Sequence, residues 1–82
     1  MDNQVFINLL NAINTEYIVE GVMSFVGRQS TRAEVTDAVE DSLLNQVIHA
    51  RIAWNGSYSG FTSYEDALQD VVNQICDEIG ID

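Results

Sequence analysis

The chain has 82 residues, with 13 acidic side chains against three arginines and no lysine, and a formal net charge of -10. A single cysteine excludes an internal disulfide framework, no apolar run approaches the roughly 18 residues of a membrane span, and the basic footprint of a nucleic-acid binder is absent. The expectation is one small, acidic, soluble domain over residues 1–82, cytoplasmic, with no leader in Met1-Asp2-Asn3.

The first element is a helical face. Leu9, Ile13 and Tyr17 recur every four residues beside Phe6, Leu10 and Ala12, with Asp2 or Asn3 able to accept an orphan backbone N–H as a cap. Asn14-Thr15-Glu16 weakens that pattern. The apolar stretch from Tyr17 to Val26 then reads as a helix from Thr15 to about Val26. Gly21 costs it about 1 kcal/mol, and Gly27 is the candidate C-cap. The competing reading is a β-rich segment, because Tyr, Ile, Val and Phe dominate it.

Gly27-Arg28-Gln29-Ser30 is a loop, and Thr31 with Glu34 forms a capping box. Behind it Val35, Val39, Leu43, Val47 and Arg51 stand at four-residue spacing, with Leu44, Ile48 and Ile52 alongside. One long helix from Arg32 to about Ala53 follows. Ile48–Trp54 also alternates strictly, which keeps a strand open there. Asn55-Gly56 marks a turn within the loop that runs to Phe61.

Thr62 with Glu65, or Ser63 with Asp66, offers a second capping box. The last helix runs from Ser63 to about Ile79 and stops at Gly80. Its apolar stripe is Tyr64, Ala67, Leu68, Val71, Val72, Ile75, Cys76 and Ile79. The opposite stripe is Asp66, Asp70, Asn73 and Asp77. The expected fold is an all-α bundle of three or four helices. The alternative is an α+β fold with a short hairpin or sheet around residues 17–26 and 48–61. The expected core sets Leu68, Val71, Val72 and Ile75 against Val39, Leu43 and Val47.

Chemical motifs are sparse. His49 has no Cys or His companion at zinc-ligand spacing. Cys76 sits in an apolar stripe, where a free thiol behaves as a small hydrophobe. The acids do not follow the calcium-loop pattern. The Gly56–Gly60 loop lacks a phosphate-binding lysine, and Glu65 and Asp66 follow it. No cofactor, metal or catalytic set is expected, and the chain reads as a non-enzyme. Trp54 and Phe61 are expected to fold over the end of the bundle, leaving Tyr58 exposed as an anchor for a partner.

Charge is unevenly distributed: residues 1–27 carry a net -3, residues 28–54 a net -1 and residues 55–82 a net -6. Acids one helical turn apart are about 6 Å apart along the axis, near the spacing of phosphates on one nucleic-acid strand. Asp37 with Asp41 and Asp66 with Asp70 meet it. The expected partner-binding residues are Glu34, Asp37, Asp41, Tyr58, Glu65, Asp66, Asp70 and Asp77. Their expected target is a cationic protein, in particular the basic site of a nucleic-acid-binding enzyme such as a nuclease. Neither nucleic acid itself nor a membrane is expected as a partner. In size and charge alone, the chain resembles the small acidic inhibitors that bacterial viruses use against host nucleases, and the immunity proteins that neutralise nuclease toxins. That likeness implies an inhibitor acting in the host cytoplasm if the chain is viral. Two other readings stay open: a homodimeric assembly subunit, and an adaptor binding through Trp54, Tyr58 and Phe61.

Overall fold

The structure, a computed structural model, describes residues 3–81, and of Asn3 only the backbone. Five short helices follow one another: α1 (Asn3–Asn11), α2 (Thr15–Phe25), α3 (Arg32–Glu40), α4 (Leu43–Asn55) and α5 (Tyr64–Ile79). The fold is all-α, with no strand among the described residues, and the segments held open for β structure at 17–26 and 48–54 are almost wholly helical. Extended pairing is confined to a bridge between Tyr58 and Phe61, closed by two reciprocal backbone hydrogen bonds of 2.9 Å. Ser59 and Gly60 between them have φ of 50° and 85°. Two successive positive φ values make the tight turn whose twist suits such a pair.

Side-chain caps set most of the boundaries. Asn14 opens α2 by accepting from the Glu16 N–H at 3.0 Å. Thr31 and Glu34 form the expected capping box: the Glu34 N–H donates to the Thr31 hydroxyl at 3.1 Å, and the Thr31 N–H donates to the Glu34 carboxylate at 2.9 Å. At α5 neither expected box forms; Ser63 is the N-cap but its side chain makes no cap hydrogen bond. Gly80 ends α5 in the left-handed region, at φ 81°. The Ile81 N–H then donates to the Cys76 carbonyl at 2.8 Å, which folds Ile81 against the core. Gly56, at φ 88°, likewise stops α4, so Asn55-Gly56 is a helix terminus rather than a hairpin turn. Gly27 does not cap α2; Val26, in extended conformation, does. The cap expected from Asp2 lies outside the described residues.

The long helix expected over Arg32–Ala53 is two helices. Ser42 separates them: its hydroxyl accepts from the Leu44 N–H at 3.2 Å and donates to the Val39 carbonyl at 2.7 Å. A short hydroxyl side chain offers the backbone an alternative to continuing the ladder, so it ends one helix while starting the next. The break rephases the apolar ridge. Leu44 is fully buried with Val47 and Ile48, whereas Leu43, expected in the core, is 59% exposed. The Leu9–Ile13–Tyr17 ladder fails for the same reason. It runs across the interruption before Asn14, and all three side chains are exposed; α1 instead turns Leu10, with Phe6 and Ile7, inward.

The core gathers Val22 and Val26 from α2 and its cap, Val35 and Val39 from α3, and Leu44, Val47 and Ile48 from α4. They pack against Ala67, Val71, Val72, Ile75 and Cys76 of α5. Leu68 is only partly buried against this cluster. Helix α4 is the hub and touches all four others, while among the described helices α1 touches only α4. Three features hold α1 there. The Arg51 guanidinium donates to the Leu10 and Ile13 carbonyls at 3.3 and 3.1 Å, satisfying acceptors left open at the helix end. Asn55 donates to Asn11 at 2.6 Å. The Phe6 and Trp54 rings pack with centroids 4.8 Å apart.

Phe61 folds back against the core as expected, whereas Trp54 and Tyr58 exchange their expected places. Tyr58 is buried, 6% exposed, and Trp54 is 46% exposed. The bridge fixes Tyr58 while the Arg51 guanidinium lies 5.6 Å from its ring centroid; Trp54 is the penultimate residue of α4, with the Phe6 ring packed against it.

Candidate functional site

Helix α2 lies between two grooves. On one side Thr15, Glu16, Val19, Glu20 and Met23 face Val71, Gln74, Asp77 and Glu78 of α5, with Tyr58 and Ser59 closing one part of the rim, around an open volume of about 560 Å³. On the other side Ile18, Gly21, Val22 and Phe25 face Ala38 of α3 and the Asp41-Ser42 break, around about 430 Å³. The two faces follow from helical periodicity: residues 15, 16, 19, 20 and 23 share one side of α2, and 18, 21, 22 and 25 the other.

The α2–α5 groove is acidic. Glu16 and Glu20, one turn apart on α2, and Asp77 and Glu78, adjacent on α5, give it four carboxylates over apolar Val19, Met23 and Val71. None of the arginines lines it. Arg51 is engaged with the carbonyls at the end of α1, and Arg28 lies beside Gly80. A concave wall with like charges around a low-dielectric floor focuses its potential. Such a groove suits a Lys or Arg side chain, whose aliphatic stem covers apolar surface while its head meets carboxylate.

The sequence-selected acids are dispersed by the fold. Asp77 lines the acidic groove. Asp66 and Asp70 continue its stripe along α5; Glu65 and Asp66 stand exposed in the first turn, and Asp70 accepts from Gln74 at 2.9 Å. Asp37 is exposed on α3, and Glu34 beside it is engaged in the capping box. Asp41 lies at the opposite groove. Tyr58 is buried, a correction to the exposed side chain expected, and lines the acidic groove beside Ser59. Glu16, Glu20 and Glu78 were not selected. The signal for the first two was present, since two acids at four-residue spacing alternate with Val19 and Met23 on the same side of α2.

Tyr64, at the start of α5, is stacked on His49 with ring centroids 3.8 Å apart, and its hydroxyl donates to the Asn45 side chain. Burial, then the nearby Glu40 carboxylate, push its phenol above the ordinary tyrosine range. Cys76 is a buried free thiol. Among the described residues no group of three or more His, Cys, Asp or Glu side chains is arranged to hold a metal ion. No described helix is long and apolar enough to cross a membrane. Compared with known proteins, the chain matches no family model, no curated sequence and no solved structure.

Proposed function

We propose that the protein is a non-enzymatic, acidic binding module that docks on a cationic partner protein, using the α2–α5 groove and the Asp66-Asp70-Asp77 stripe beside it. The observation that carries this reading is the groove itself: four carboxylates over an apolar floor, with no arginine among the lining residues. The finer proposal is that the partner's basic surface is one that otherwise holds nucleic acid, as in a nuclease. The module then acts by occupancy in the same cytoplasm as its target and needs no chemistry of its own. Long-range attraction would speed encounter, and burial of basic side-chain stems in the groove would set the residence time.

The test is a pull-down with the intact protein, identification by mass spectrometry, and competition with DNA or RNA. A nucleic-acid-processing protein displaced by the competitor supports the reading. Reversing Asp66, Asp70 and Asp77 together to lysine should weaken capture at least tenfold while leaving the helical circular dichroism intact. Glu16→Gln with Glu20→Gln should slow association and shorten the lifetime of the complex. Binding that ignores both sets of changes, and ignores salt between about 0.05 and about 0.5 M, overturns it. The adaptor reading through the aromatic loop loses its central residue to burial at Tyr58.

A further inference from the structure

The acids are segregated in a way that core packing explains only in half. No carboxylate occurs between residues 3 and 15 or between residues 42 and 64, and those stretches hold α1 and α4, which pack on each other. On α4 burial bars a carboxylate at Leu44, Val47 and Ile48, where desolvation would cost several kcal/mol, but not at the exposed Gln46 and His49. That reason does not reach α1. Leu9 is 64% exposed and Val5 49%, yet the nine residues of α1 include no charge at all, on a chain of net charge -10. A helix apolar on several sides is ordinarily covered on several sides, and among the described helices only α4 packs on α1.

We propose that α1, with the Trp54 end of α4, is the self-association surface of this protein, and that its occupant is a second copy of the chain. Charge selects the copy over other partners. A cationic protein is drawn to the acidic helices and gains nothing from a face without carboxylates. A second copy brings its own -10, and only an acid-free face lets the two meet without opposing carboxylates. The shape agrees. The molecule extends 45 by 21 by 17 Å with a radius of gyration of 13.2 Å, against about 12 Å expected for this length. Its surface of 5289 Å² exceeds the roughly 4,900 Å² expected for its mass. Pairing α1 with its copy about a two-fold axis sets Val5 and Leu9 against Leu9 and Val5.

Sedimentation of the full chain should show a species of twice 9.1 kDa whose dissociation constant falls as NaCl rises from about 0.05 to about 0.5 M, because screening removes like-charge repulsion. That sign is opposite to the one expected for a cationic partner. Leu9→Glu, at an exposed position, should weaken the dimer at least tenfold and leave the helical spectrum unchanged. Phe25→Glu, 84% exposed at the other apolar groove, should leave it intact. A monomer at every salt concentration, or a dimer broken by Phe25→Glu and indifferent to Leu9→Glu, overturns the proposal and leaves the acidic-groove reading standing.

Discussion

Helices α1 and α4 carry no carboxylate, whereas α2 carries two, α3 with its cap residue Asp41 four, and α5 five. The two groups are interleaved in sequence and separated in role. The acid-free pair supplies the hub and an arm attached to it. The acidic trio packs around the hub and holds its carboxylates mostly in solvent. The contrast teaches that the charge of this protein is not a uniform coat. It is kept from the buried face of the hub by desolvation, is absent from the arm, and gathers four carboxylates where α2 meets α5.

The sharpest way to break that comparison is at the hub. Leu44 is fully buried and Leu43, its neighbour, is not. Leu44→Ala should cost about 3 kcal/mol in urea unfolding, the transfer loss plus a cavity, while Leu43→Ala should cost less than about 0.5 kcal/mol. Equal losses would mean that α3 and α4 run on as one helix with the phase set by Val35 and Val39.

The junction between the two kinds of chain is Asp41-Ser42, the last acid before the acid-free stretch. Ser42→Ala removes the cap of α4 and should lower stability by about 1 kcal/mol, with the loss of protection in amide exchange centred on Leu44 and Asn45. This junction also marks where sequence reading succeeds and fails. The Thr31–Glu34 box, the stop at Gly80 and the stripe of Val71, Val72 and Ile75 were legible, because each is a local pattern with a local cause. In the ladder Val35–Val39–Leu43–Val47 three side chains are buried as expected and Leu43 is not, while Leu9, Ile13 and Tyr17 are all exposed. Four-residue spacing continues arithmetically through a helix break, and only Ser42 and Asn14, both good cap residues, signal the interruption. The acidity of the site was legible in composition. Its assembly from Glu16, Glu20, Asp77 and Glu78 was not, because the packing of α2 on α5 is a long-range contact with no periodic trace.

The acidic trio makes a smaller prediction. At low protein concentration, raising NaCl from about 0.05 to about 0.5 M should stabilise the fold by roughly 0.5 kcal/mol, since screening relieves repulsion among exposed carboxylates. A decrease in stability with salt would show instead that the carboxylates are held in favourable ion pairs.

The smallest effect sits at the other junction, Tyr64, the last residue of the acid-free stretch, which touches both groups. It stacks on His49 of α4, while Glu40 of α3 acts on its phenol. Burial first, and the Glu40 charge second, favour the neutral phenol in the folded state, so its folded pKa lies above the unfolded value. A group raised in this way contributes stability that is fully present below the unfolded pKa of about 10 and is lost as pH rises through the folded one. The hydrogen bond to Asn45 belongs to the same neutral form, because a phenolate has no proton to donate. The chain has no lysine, so the alkaline limb of a stability profile can be read with few competitors. Tyr64→Phe should flatten that limb between about pH 10 and about pH 12, and Glu40→Gln should shift it toward lower pH by removing the second cause. An alkaline limb unchanged in both variants would place the pH dependence elsewhere and detach Tyr64 from the boundary between the two regions.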